Sequence, residues 1–154
     1  MTAPETVLAF DFGLKRIGIA SGDSLTQSAA PRPAALSGAS GPDWQAITRE
    51  VRSLGPARLV VGAPYNVDGS EGAITTAARG FAAELQHRFA LPVHLVDERF
   101  SSLEATAALQ GRRERGERKK RVQRADIDSA AAAVILARWF AGERHMNEGT
   151  TVKR

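Results

Sequence analysis

The chain contains no cysteine and only three histidines, and aromatic residues fill just 6% of its 154 positions. The missing thiols exclude disulfide scaffolds, thiolate zinc sites and cysteine nucleophiles, and they fit a reducing cytosol. Long hydrophobic runs are missing too. The longest, Ala130 to Ala137, is eight residues, far short of the ~20 that carry a helix across a bilayer. Met1 to Glu5 has no basic patch ahead of an apolar stretch, so neither a signal peptide nor a membrane partner is expected. There is no Gly-x-x-x-x-Gly-Lys-Ser/Thr loop and no Gly-x-Ser-x-Gly elbow, which removes the main support for P-loop NTPase and α/β-hydrolase chemistry.

What is present is an ordinary globular composition, 43% hydrophobic and 25% charged, in a length that makes one domain with its own core. The net charge of +4 is unevenly spread. Of 21 basic and 17 acidic residues, eight and two lie between Gly111 and Arg124, leaving 13 basic against 15 acidic elsewhere. The body is mildly acidic, and one segment containing Arg118, Lys119, Lys120 and Arg121 holds the whole basic excess. Such a block is a polyanion contact or a solvated loop. With no aromatics interleaved, it would grip a phosphate backbone without reading sequence. Residues 1–154 therefore read as a single domain, with 111–124 a mobile basic loop and 143–154 a disordered tail.

Periodicity gives the element order. Thr6 to Phe12 is a short apolar run expected as a strand buried on both faces. A turn at Gly13-Leu14-Lys15 leads into a hairpin partner, Arg16 to Ser21, and Ala29 to Leu36 forms a weaker strand that two prolines push to a sheet edge. Ser37 to Pro42 reads as loop. A helix over Asp43 to Leu54 follows, stopped by Gly55-Pro56, then a strand at Arg58 to Ala63. After a turn-rich loop, Pro64 to Gly72, come a helix at Ala73 to Phe89 and a strand at Val93 to Asp97. A helix at Ser101 to Gln110 and a last one from Asp126 to Ala141 complete the chain. A hairpin meander joined to right-handed crossovers predicts an α/β fold, a mixed sheet with helices on both faces. That order matches the ribonuclease H-like layout, although order alone does not choose among several α/β folds.

Carboxylates stand in three places where a core should resist them. Asp11 lies between Phe10 and Phe12 in the most apolar strand, and burying a lone carboxylate costs several kcal/mol unless hydrogen bonds, a cation or a metal compensate. Asp97 and Glu98 end a strand at the side of an open sheet where ligands bind. Alternation sends them to opposite faces, and the longer Glu98 reaches further. Asp126 and Asp128 open the last helix: Asp126 is assigned to capping it, while Asp128 shares a face with Ala132, Ile135 and Trp139. Oxygen donors from separate elements suit a hard cation, Mg²⁺ or Mn²⁺. Two such ions about 3.5–4 Å apart activate water and stabilise a leaving oxygen in phosphodiester hydrolysis. Mid-strand His94 reads as a core or surface histidine rather than a ligand.

Four motifs, taken together, resemble the YqgF family: Asp11-Phe-Gly-Leu-Lys-Arg-Ile-Gly18, Val60-Val-Gly-Ala-Pro-Tyr-Asn-Val-Asp-Gly-Ser70, Val96-Asp-Glu-Arg-Phe-Ser-Ser102 and Ile127-Asp-Ser-Ala-Ala131. Members of that family are described as pre-16S ribosomal RNA nucleases or RuvX-type Holliday junction resolvases. The resemblance covers about Val7 to Phe140. It implies a ribonuclease H-like fold, a divalent-metal nuclease site and a bacterial cytoplasmic role in ribosomal RNA maturation. Carried over by position, Asp11 is the first-strand metal ligand, Glu98 the second acid and Asp128 the acid on the last helix. Related resolvases place their second acid at the end of the strand after the first helix. Here that stretch, Ala63-Pro64-Tyr65-Asn66, has no carboxylate.

Lys15, Arg16 and Arg99 are candidate phosphate holders or solvated ion-pair partners. Asn66, Gly69 and Ser70 form a polar loop that suits either a phosphodiester contact or a plain turn. Ser101 and Ser102 read as helix caps. The expected partners are nucleic acid, as precursor ribosomal RNA or branched DNA, and the ribosome, with the protein a monomer or homodimer. Two other readings compete with the nuclease. One is a ribosome-associated RNA-binding factor with a vestigial acidic site. The other is an ATP-handling actin-like relative, disfavoured because such proteins need two lobes.

Overall fold

The computed structural model describes residues 4–63, 72–97 and 124–145. The first strand, β1 (Thr6–Asp11), sits inside a six-stranded sheet. It pairs antiparallel with β2 (Arg16–Asp23), which pairs antiparallel with β3 (Ser28–Gly38). On its other side β1 pairs parallel with β5 (Arg58–Ala63), and β5 pairs parallel with β6 (Val93–Asp97). With the two-residue β4 (Gly41–Pro42), the order across the sheet is β4-β3-β2-β1-β5-β6. The expected mixed sheet is what forms: a meander on one side and crossover strands on the other.

The double burial of β1 follows from strand alternation. Leu8 and Phe10 enter one core with Ile17, Ile19, Leu59 and Val61, covered by α1 (Trp44–Leu54) and α2 (Ala73–Phe89). Val7 and Ala9 face the other core with Val60, Ile135, Leu136 and Phe140, covered by α3 (Arg124–His145). Helix α1 begins where Asp43 Oδ1 accepts the Ala46 N–H at 3.2 Å. It stops where Gly55 takes the left-handed conformation (φ 57°) and donates to the Val51 carbonyl at 2.9 Å. In α2, Thr75 Oγ1 accepts the Gly72 N–H at 3.1 Å, closing the helix entry.

Three expectations need correcting. The stretch Ser37 to Pro42 is not plain loop, because Ser37 pairs with Pro42 and Gly38 with Gly41 in a short hairpin. Gly41 supplies the positive φ of 97°. Helix α3 starts at Arg124 and continues to His145. It thus takes in the last residue of the expected basic loop and the first three of the expected tail. Asp126 is then the third residue of α3 and cannot be its cap, though an acid there still favours the helix dipole. Both prolines of β3 lie where only β2 flanks it, which is how a strand tolerates them. The expected helix at 101–110, and the loop expected at 64–72 except for its last residue, lie outside the described residues.

Candidate active site

Asp11 is the last residue of β1. Its register partners on both sides are glycines, Gly18 of β2 and Gly62 of β5. Four residues along β1 from Val7, it continues the alternation that puts Val7 and Ala9 against α3, so its carboxylate belongs to the α3 face. It is only half-buried, at the end where the strand meets solvent. The neighbouring strands therefore leave room beside this acid instead of packing against it.

The turn after Asp11 is equally constrained. A Cβ on Gly13 would stand 2.5 Å from the Arg16 carbonyl oxygen, so only glycine fits there. The Lys15 carbonyl accepts the Ser37 N–H at 2.9 Å, which ties the turn to the end of β3. Lys15 is exposed. Arg16 is half-buried, and because Ile17 and Ile19 fill the α1–α2 core, alternation puts Arg16 on the face of Asp11. Neither side chain forms an ion pair among the described residues.

Ser129 had no assigned role in the sequence reading, beyond belonging to a motif. The structure gives it one. Between Ile17 and Ile19 the β2–β3 register shifts, so two residues of β3, Pro33 and Ala34, stand opposite Gly18. Ser129 Oγ fills the opening: it donates to the Arg32 carbonyl at 2.6 Å and accepts the Ile19 N–H at a long 3.5 Å. Ser129 and Ala130 to Ala132 are buried, and these small side chains let α3 lie close on the sheet. Further along, a Cβ on Gly22 would come within 2.8 Å of Leu136 Cδ2 and 3.1 Å of Phe140 Cε2. Helix α3 thus runs from the Asp11 end of β1 toward its start. Position 128 precedes the Ser129 anchor, one register step from Asp11's partner Gly18.

Ser129→Ala should cost about 1–3 kcal/mol, because it strands a buried carbonyl and N–H at the bulge. A urea titration beside the wild type checks this, and an unchanged midpoint would show that the bulge is satisfied another way.

His94 is a packed core residue, as expected. It is 5% exposed, with its ring 5.3 Å from that of Trp139. Arg58 Nη1 donates to His94 Nε2 at 3.4 Å, while Arg58 Nε holds Glu5 Oε1 at 3.0 Å. Burial, and secondarily the Arg58 charge, lower the His94 pKa below its ordinary 6.5. Below pH 6.5 the unfolded chain binds a proton that the folded chain refuses, so this contribution to stability is complete above 6.5 and lost as pH falls. His94→Gln should flatten the drop in Tm between about pH 7 and pH 5, and parallel profiles for the two proteins would refute the assignment.

Of the other predicted site residues, Asp128 is described as a position in α3. Glu98, Arg99, Asn66, Ser70, Arg118, Lys119, Lys120 and Arg121 lie outside the described residues. Among the described residues no group of three or more His, Cys, Asp or Glu side chains is placed to hold a metal. Asp11 offers carboxylate oxygens, the donor type that hard divalent cations take, beside two positions without side chains.

Comparison with known proteins agrees with this architecture. The structure of Thermus thermophilus RuvC in complex with Holliday junction substrate aligns with 91% of this chain and 96% of its own, at a TM-score of 0.52 and 16% identity. The yeast mitochondrial Holliday junction resolvase Ydc2 covers 94% of this chain and 82% of its own, at a TM-score of 0.50 and 10% identity. The class is therefore the ribonuclease H-like fold of the RuvC type of resolvase. In sequence, a Legionella pneumophila protein named "Putative pre-16S rRNA nuclease" is 46% identical over 133 residues, 86% of this chain and 93% of that protein. One of the same name from Edwardsiella ictaluri is 42% identical over 140 residues, 91% and 97% of the two chains. The model of the RuvX family, described as Holliday junction resolvase, matches residues 5–142, and the chain belongs to that family of nucleases.

Proposed function

We propose that this protein is a divalent-metal-dependent hydrolase that cuts phosphodiester bonds in structured nucleic acid. The precursor of 16S ribosomal RNA is the preferred substrate and branched DNA the second, with the cytoplasm as the place of action. The observation that carries the proposal is Asp11, set at the end of β1 between two glycines on the face that α3 covers. Among the described residues no helix is long and apolar enough to cross a membrane. Relatives covering most of this chain carry the name of a pre-16S rRNA nuclease, and the family carries that of a junction resolvase.

The register supports Glu98 over Asp97 as the second acid. Asp11 aligns with Gly62, and Gly62 with Val96. His94 packs on Trp139 and Val96 packs against the α3-side core, whereas Val93 and Leu95 join the other core. Even-numbered positions of β6 therefore share the face of Asp11, whereas Asp97 occupies an odd-numbered one; Glu98 lies just past the described residues. Two strand spacings, about 9–10 Å, separate β1 from β6. Gly62 leaves that gap unobstructed, and a glutamate spans more of it than an aspartate. Asp128 would complete the set from the second turn of α3. A bound ion there would lower the pKa of a water and offset charge on the departing oxygen. Lys15 and Arg16 would hold a flanking phosphate, and Arg118 to Arg121 would grip the backbone further out.

Incubating purified protein with defined precursor RNA and with four-way DNA junctions, with and without Mn²⁺ or Mg²⁺, tests the proposal. Cleavage that requires the ion is the expected result, with RNA cut faster than the junction. Tight binding without cleavage in either metal would overturn the hydrolase and leave an RNA-binding factor.

A further inference from the structure

The opposite side of the sheet carries a second polar surface that the hydrolytic site does not use. Gln45, Thr48, Arg49 and Arg52 recur along the outer side of α1 at the spacing of one helical face. Together with Trp44 and Arg88 they line an open groove of about 600 Å³. Trp44 forms its base. One side of the indole stacks on Phe81 at 5.5 Å and 27°, and the Arg88 guanidinium covers its ring at 4.1 Å. Arg88 is held in turn by Glu84 at 2.8 Å.

The charge in this groove is unbalanced. Arg49 and Arg52 are exposed and form no ion pair among the described residues. Of the nearby acids, Glu50 is engaged with Arg32 at 2.9 Å and Asp43 caps α1, while Glu84 neutralises the groove's own Arg88. Arg49 and Arg52 therefore stand as two unpaired guanidinium groups beside the Glu84-paired Arg88, on a body that is net acidic outside its basic segment. Guanidinium forks match phosphate oxygens, and hydroxyl and amide side chains supply the accompanying contacts to backbone oxygens. The Trp44 ring is already engaged by Phe81 and by the Arg88 guanidinium, which leaves the charged, hydroxyl and amide groups of α1 as the groove's specific contacts.

We propose that this groove binds the phosphate backbone of a helical arm of the substrate, without reading sequence, on the side of the sheet away from Asp11. The two surfaces share one aromatic cluster: Phe12, next in sequence to Asp11, packs on the same Phe81 at 5.2 Å. A folded or branched nucleic acid with more than one arm can reach both sides of the sheet, which a single straight duplex cannot. The inference rests on the proposed action on structured nucleic acid and adds where a second arm is held.

The test is binding in metal-free buffer, across about 50 to 200 mM salt, to whichever of the two substrates above the wild type holds more tightly. Two double variants are compared with it, Arg49→Gln/Arg52→Gln and Arg49→Glu/Arg52→Glu. Both positions are exposed, and matching circular dichroism spectra confirm the fold. The Gln pair should weaken binding several-fold and reduce the slope of log K against log salt by up to about 2, near 0.9 for each lost phosphate contact. The Glu pair should weaken binding about ten-fold or more. Wild-type affinity and slope in the Gln pair overturn the groove, even if the Glu pair binds poorly, since repulsion alone explains that. A wild-type protein that binds no nucleic acid overturns the nuclease reading and the groove together, whereas intact wild-type binding with unaffected variants overturns the groove alone.

Discussion

Asp11→Asn should reduce metal-dependent cleavage at least about a thousand-fold while leaving nucleic-acid binding nearly unchanged, because several kcal/mol of ion-mediated stabilisation depend on this carboxylate. The substitution keeps the shape of the side chain and removes the charge that would hold the ion. Binding should survive because the cationic groups proposed for it, Lys15, Arg16, the basic segment and the α1 groove, are left unchanged. Leu8 and Phe10 keep β1 in its core whatever stands at position 11, so the variant should still melt cooperatively. The comparison requires both proteins to be prepared side by side, since contaminating nuclease would give both the same low rate. Equal residual cleavage in wild type and variant would remove Asp11 from the chemistry.

Phe140→Ala should destabilise the protein by about 3–5 kcal/mol, the usual cost of emptying an aromatic position in a core. Phe140 is 1% exposed and packs with Val7, Ala9, Val60, Ile135 and Leu136 between α3 and the sheet. That cluster is small, and the Phe140 ring approaches Gly22, where no side chain could move in to fill the gap. In a chain of this length the loss should lower Tm by roughly ten degrees or more. Cleavage should also fall well below the melting transition, because α3 carries Asp128 and depends on this core for its seating. A Tm within about three degrees of the wild type would show that the core collapses around the vacancy.

Much of the fold was legible because its signals are local. Alternation in β1, the i, i+3, i+4 pattern of α1, and the Gly55-Pro56 stop each depend on residues a few positions apart, and the structure places those elements within a residue or two of expectation. The misjudged boundaries share a cause. Arg124 and residues 143–145 have no apolar partners in sequence, so nothing in the pattern shows that α3 extends through them. The hairpin at Ser37 to Pro42 is held by two residue pairs, too few to leave a period.

The sequence by itself determined that a carboxylate stands within an apolar strand, that no thiol chemistry is available, and that the basic excess is concentrated in one segment. Those statements need only residue identity and neighbours. Tertiary structure alone decided that glycines from two different strands flank Asp11, and that a bulge opposite Gly18 accepts the Ser129 hydroxyl and seats the start of α3 near that end of β1. Pairing register joins residues some fifty positions apart and helix docking residues about a hundred apart, and the free energy that selects them is spread over the whole packed interface. No local pattern along the chain encodes it.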